Sequence, residues 1–150
     1  MSEQFRWRTF ETLSTTELYA LLRLRSDVFV VEQNCVFGDI DGKDQQALHL
    51  LALVDDVLGG YLRVFPPAEE RAARIGRVVV APTCRATGLG RRLMAEALDE
   101  IARRLGPVPV ELSAQAHLER FYGGFGFVRV SDDYLEDGIL HCDMRRAAAA

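Results

Sequence analysis

The eight residues Arg85-Ala86-Thr87-Gly88-Leu89-Gly90-Arg91-Arg92 constrain this chain more than any other segment. Before them runs Arg74–Ala81, whose β-branched Val78-Val79-Val80 suits a central strand that Pro82 ends. After them Leu89, Leu93, Ala97, Ile101 and Leu105 recur at helical spacing until Gly106-Pro107 stops the pattern. A strand, a glycine turn and an amphipathic helix in that order require the helix to pack on a sheet. The turn is also built for an anion. A helix start offers unpaired N–H groups and partial positive charge, Gly88 and Gly90 let a ligand approach the backbone, and Arg85, Arg91 and Arg92 add charge of the right sign. The spacing is not G-x-G-x-x-G, because Leu93 stands where the third glycine belongs, and it is not that of a P-loop. A glycine turn alone can be purely structural; the three arginines favour the anion.

The rest of the chain reads as strands and helices around this unit. Phe5, Trp7 and Thr9 alternate with Arg6 and Arg8 as in a strand. Ser14-Thr15-Thr16-Glu17 forms a capping box, and Leu18, Leu21, Leu22, Arg25 and Val28-Phe29 predict about four turns of helix behind it. Asn34 to Gln46 reads as a loop. Ala47–Val54 and Val57–Phe65 read as a hairpin turning at Asp55-Asp56, followed by a loop over Pro66-Pro67 and Ala68–Ala73. Val108, Val110 and Leu112 alternate as a strand, His117–Gly123 suits a short helix, and Phe125–Val130 and Ile139–Met144 are expected as the last strands. The order β-α-β-β-β-α-β-α-β-β implies an α+β or mixed α/β fold, with helices covering a largely antiparallel sheet.

With 150 residues, 49% of them apolar, the chain has enough material for one domain over 1–150 with its own core and no disulfide framework. The tail 147–150 is expected to fray. Cys35, Cys84 and Cys142 are odd in number and widely spaced, which fits neither a disulfide scaffold nor structural zinc. The N-terminus carries no apolar signal core, and no stretch approaches the roughly 18 apolar residues of a membrane span. A cytoplasmic protein with no membrane partner is expected.

Net charge is −4, against a nucleic-acid partner, but it is blocky. Residues 31–62 hold six acids and one lysine, residues 63–92 hold seven arginines and two acids, and the last twenty residues hold five acids and two arginines. Asp39-x-Asp41-Gly42-x-Asp44 hints at calcium, yet position six of an EF-hand loop would be Asp44 instead of Gly and position twelve Leu50 instead of Glu, so no metal is expected. Cys84 beside Arg85 reads as an incidental thiol.

Two spacings together carry a resemblance. Val78-Val79-Val80-Ala81-Pro82, then Arg85-x-x-Gly88-x-Gly90 and a helix, resembles the acetyl-CoA signature of the GNAT N-acetyltransferase superfamily. Phe121-Tyr122-Gly123-Gly124-Phe125-Gly126-Phe127, some thirty residues on, resembles its second motif, Y-x-x-x-G-F. Arg25-x-x-Val28-Phe29-Val30-Val31-Glu32-Gln33-Asn34-Cys35, Asp39-Ile40-Asp41-Gly42, Ala114-Gln115-Ala116-His117 and Glu136-Asp137-Gly138-Ile139-x-His141 are similar to the ElaA-like branch. The likeness covers about residues 5–146. It departs at Ala86, where many members carry glycine.

The resemblance implies the GNAT fold, a central twisted, mostly antiparallel sheet flanked by helices. It implies acetyl-CoA as donor, with its pyrophosphate on the loop amides of Arg85, Ala86, Thr87, Gly88, Leu89, Gly90 and Arg91. Its pantetheine arm would lie along Val78, Val79 and Val80, where that strand and Val108–Leu112 splay apart, and an N–H near Val79 or Val80 would polarise the acetyl carbonyl. Tyr122 becomes the general acid for the leaving thiolate; from the residues alone it is a core aromatic beside Phe121, Phe125 and Phe127. Glu32, His49, Glu111, His141 or water remain open as general base, with His49 more simply a hydrogen-bonded core histidine. The expected partner is an amine acceptor, small molecule or peptide, with a homodimer also allowed; an acyl-CoA-binding domain without turnover is the reading outside enzymes. Acidic stretches 31–62 and 131–143, if they line the mouth, would attract a cationic amine; otherwise they are solvated loops.

Overall fold

A computed structural model describes residues 2–35, 37–68 and 72–148. The expectation of a frayed tail falls partly outside them, at 149 and 150. Strand β1 (Glu3–Thr9) leads to the predicted capping box: Ser14 Oγ accepts from Glu17 N–H at 3.0 Å, and Glu17 Oε1 accepts from Ser14 N–H at 2.9 Å. Helix α1 (Thr15–Arg25) starts there. It does not run on as an α-helix to Phe29, as predicted; it widens into a π-helix over Ser26–Glu32. Such wide turns concentrate at functional sites, and this one brings Val28, Phe29 and Glu32 to a cleft.

The hairpin β2 (Leu48–Val54) and β3 (Val57–Phe65) turns where predicted, with Asp55 and Asp56 both at positive φ (51° and 66°), as a two-residue hairpin turn requires. Strand β4 (Ala73–Val80) follows, then helix α2 (Leu89–Leu105), strand β5 (Val110–Gln115) and short helix α3 (Glu119–Gly123). The expected strand over Phe125–Val130 shrinks to β6 (Val128–Arg129), and the connection after it contains a strand not foreseen, β7 (Tyr134–Glu136), paired on β8 (Ile139–Arg146). The sheet order is β1-β2-β3-β4-β5-β8-β6, with β7 on β8, and among the described residues only β4–β5 is parallel.

Strand alternation sends two sets of side chains to opposite faces. Leu50, Leu62 and Ile75 meet Leu89, Leu93, Met94 and Ala97 of α2, while Leu51, Tyr61 and Val79 meet Leu21 and Leu24 of α1. Each fully buried leucine contributes about 1.5–3 kcal/mol. Gly60 lets α2 come close: a Cβ there would stand 2.7 Å from Leu93 Cδ1.

Candidate active site

β4 and β5 pair only at Ala73↔Val110 and Arg74↔Glu111, then part. A bulge explains the divergence. Between Gly76 and Val79, β4 gains one residue on β3, and Arg77 takes φ 52° there, which bends and twists the strand. The gap opens into a cleft of about 1120 Å3, lined among others by Val80, Gly90, Ser113, Tyr122, Glu136 and His141.

One wall is an unpaired strand edge. The Ala81 N–H donates to Gly59 O at 2.8 Å, so by alternation Val79 faces β3 and the Val80 N–H and C=O face the gap. Val80 O accepts from Arg85 Nε at 3.2 Å there.

The glycine loop closes one end. Gly88 caps α2 at φ 85° with no side-chain partner for the first amides. Gly90 needs no such conformation, and a Cβ on it would meet Val80 and Phe121 only at ordinary contact distances, 3.6 and 3.8 Å. Nothing in the protein requires glycine at 90; a ligand approaching the backbone would. Ala86 sits at φ 62°, in the left-handed region where glycine is unstrained, so the position suits the glycine of the motif and alanine there is strained.

The arginines of the loop are not equivalent. Arg85 is paired with Glu32 through both terminal nitrogens, at 2.5 and 2.7 Å, and this hydrogen-bonded cation lowers the Glu32 pKa. Arg92 forks onto Glu3 at 2.8 and 2.7 Å and donates to Thr87 O at 3.0 Å. Arg91 is exposed and has no carboxylate partner among the described residues, so it is the loop cation left for an anion.

Tyr122 is packed among aromatics and also borders the cleft. Its ring packs edge-on against Phe121 and Phe127. Its hydroxyl has no hydrogen-bond partner among the described residues, yet it is not one of the sealed, orphaned polar atoms, so it opens to the cleft. Burial pushes its pKa up to about 12. The phenol is therefore protonated across the neutral range and can donate a hydrogen bond into the cleft.

Comparison with known proteins decides the family. The acetyltransferase (GNAT) domain family matches residues 24–148. The chain is 44% identical over 137 residues to Protein ElaA of Escherichia coli K12, across 89% of this chain and 90% of that one. The chain belongs to the GNAT acetyltransferase family. The crystal structure of an acyl-CoA N-acyltransferase from Pseudomonas aeruginosa superposes with TM-score 0.93 at 46% identity, covering 97% of this chain and 100% of that one. Escherichia coli ElaA superposes with TM-score 0.91 at 40% identity, covering 97% and 99%. The GNAT fold and the acyltransferase class follow.

Within this GNAT fold the four candidate bases separate. His49 is fully buried: its Nε2 lies 2.9 Å from Asp44 O, which can only accept, so Nε2 carries the proton and Nδ1 accepts from Tyr61 Oη at 2.6 Å. Burial pushes its pKa down, and it does not line the cleft. Glu111 pairs with Arg74 and Arg145 and does not itself line the cleft. Glu32 lines it but is held by Arg85, and His141 lines it.

The charge blocks find each other. Arg25, fully buried, donates to Asp39 at 2.7 Å and Asp44 at 2.8 Å; Arg63 donates to Asp44 at 2.9 Å and Asp41 at 2.5 Å; Arg77 Nε lies 2.8 Å from Asp39. The aspartates that resembled a calcium loop are counter-ions of arginines, and among the described residues no three His, Cys, Asp or Glu gather as metal ligands. Asp39 and Asp41 reach the cleft wall already paired with arginines. Glu136 and Asp137 line the cleft as well, with no arginine or lysine partner among the described residues. Pairing over 14 to 38 residues of sequence has no local signature, so the roles of Arg63 and Arg77 were not legible beforehand. Among the described residues no helix is long and apolar enough to cross a membrane.

Proposed function

We propose that this protein transfers the acetyl group of acetyl-CoA directly to the primary amine of a small molecule within a ternary complex. The observation that carries the reading is the parting of β4 from β5 beside the glycine loop. It leaves a strand edge, a set of free amides and an unpaired Arg91 in one cleft large enough for donor and acceptor. The amides of Arg85 through Arg91 hold the pyrophosphate, with Arg91 supplying charge and Gly90 room. The free edge of β4, from Val78 to Val80, pairs with the amide-bearing arm as an added strand would. The Val80 N–H donates to the acetyl oxygen as charge develops on it. Tyr122 donates its hydroxyl to the departing sulfur, which needs a phenol that stays protonated. The three free thiols, Cys35, Cys84 and Cys142, suit work in the reducing cytoplasm.

The test is thiol release from acetyl-CoA over a panel of small primary amines and peptides. Acceptor-dependent release with small amines, and an N-acetyl product by mass, is expected. Release only with peptides would make it a peptide acetyltransferase, and tight CoA binding with no release would make it a binding domain.

A further inference from the structure

The β7–β8 hairpin lines the cleft through Glu136, Asp137, Ile139 and His141, and its polar groups are ordered. His141 stands on β8 opposite Gln115 of β5, where the sheet borders the cleft. Its Nδ1 lies 2.7 Å from Ile139 O. A carbonyl only accepts, so Nδ1 carries hydrogen, and Nε2 is the nitrogen whose lone pair a neutral ring would present. The Tyr134 ring stacks on the imidazole, 6.2 Å between centroids at 24°. Tyr134 is itself fixed: its hydroxyl donates to Asp143 at 2.6 Å and accepts from Ser113 Oγ at 2.5 Å. Nε2 lies 3.5 Å from Glu136 Oε2, and Asp137 follows in the turn. The groups around His141 are thus Glu136 and Tyr134 from β7, Gln115 and Ser113 from β5, Asp143 from β8 and Asp137 from the turn; every charged one is acidic.

We propose that His141 is the general base that deprotonates the acceptor, and that the acceptor reaches it as an ammonium held by Glu136. This rests on the acetyl-transfer reading above. The ammonium gives one proton to Nε2. The freed lone pair attacks the thioester carbonyl, the C–N bond forms, and the C–S bond breaks with its electron pair on sulfur. The second nitrogen proton passes to sulfur by way of Tyr122, which returns to its starting state. N-acetyl amine and CoA thiol leave, and His141 releases one proton to solvent. Nothing is oxidised or reduced.

The experiment compares two acceptors for unmodified protein and His141→Gln: the best aliphatic amine of the panel, protonated at neutral pH, and methoxyamine, whose nitrogen is already neutral. A general base is worth about 10²–10⁴-fold. The aliphatic amine should therefore lose about 100-fold or more in kcat/KM, and methoxyamine less than about threefold, with the Kd for acetyl-CoA unchanged. Glu136→Gln should raise KM for the aliphatic amine and leave that for methoxyamine alone. Equal losses on both acceptors would mean a merely structural histidine and would overturn the proposal, as would no loss on either. If the unmodified protein releases thiol with no amine at all, the acetyl-transfer reading falls and the base falls with it, an outcome visible before any variant is made.

Discussion

Glu32 holds Arg85 by a two-point fork, 2.5 and 2.7 Å from carboxylate oxygens to guanidinium nitrogens, with both residues on the cleft. A pyrophosphate at the loop must compete with that carboxylate for the arginine. Both side chains are more than two-fifths exposed, so water and salt already weaken the pair. Glu32→Gln should tighten CoA binding by about twofold to fivefold at low salt, and the gain should shrink as salt rises. Calorimetric titration at two ionic strengths checks this; weaker binding in the variant would show that Glu32 supports the donor site.

At two residues of the loop, opposite exchanges between alanine and glycine should each hold or raise stability. Ala86 at φ 62° pays for a left-handed conformation, so Ala86→Gly should stabilise the protein by about 1 kcal/mol in urea unfolding. Gly90 lies in the first turn of α2 with room for a methyl group, so Gly90→Ala should hold or raise stability, by up to about 1 kcal/mol. The same methyl should weaken acetyl-CoA binding about tenfold or more. Unchanged binding would remove Gly90 from the donor site.

Asp44 is the node between Arg25 and Arg63. Burial alone would raise its pKa; the hydrogen bonds and charge of the two arginines overturn that and hold it below the ordinary value. The Arg63 fork holds Asp41 well below the carboxylate range as well. Asp44→Ala leaves buried arginine charge uncompensated and should cost about 3–5 kcal/mol in urea unfolding. Because the folded-state pKa values are depressed, this stabilisation is complete above the unfolded value near pH 4 and drains away as pH falls through the folded values. The thermal midpoint should therefore drop steeply below about pH 4, and less steeply in Asp44→Asn.

Local rules explain which features were legible. The capping box at Ser14, the turn at Asp55-Asp56 and the 3.6-residue period from Leu89 to Leu105 each depend on neighbours in sequence, and each stands where read. The proposed role of Tyr122 rests on its motif, since its ring alone looks like core. The π-helix at Ser26–Glu32 was missed because one extra residue per turn leaves no mark in an apolar pattern. β7 is three residues long, and only its pairing with β8 makes it a strand. The arginine–aspartate cluster, and the contacts that single out His141 from Glu32, His49 and Glu111, come from segments brought together by the sheet.

Turnover of Tyr122→Phe with acetyl-CoA and the best acceptor amine decides whether the phenol protonates the leaving thiolate. With its pKa pushed up to about 12, the Tyr122 hydroxyl stays protonated to at least pH 10, so it should impose no alkaline fall in rate below that pH. Removing it should cost about 10²–10⁴-fold in kcat while the Kd for acetyl-CoA stays within about twofold. A Tyr122→Phe protein that turns over as fast as the unmodified one across the pH range would contradict the account.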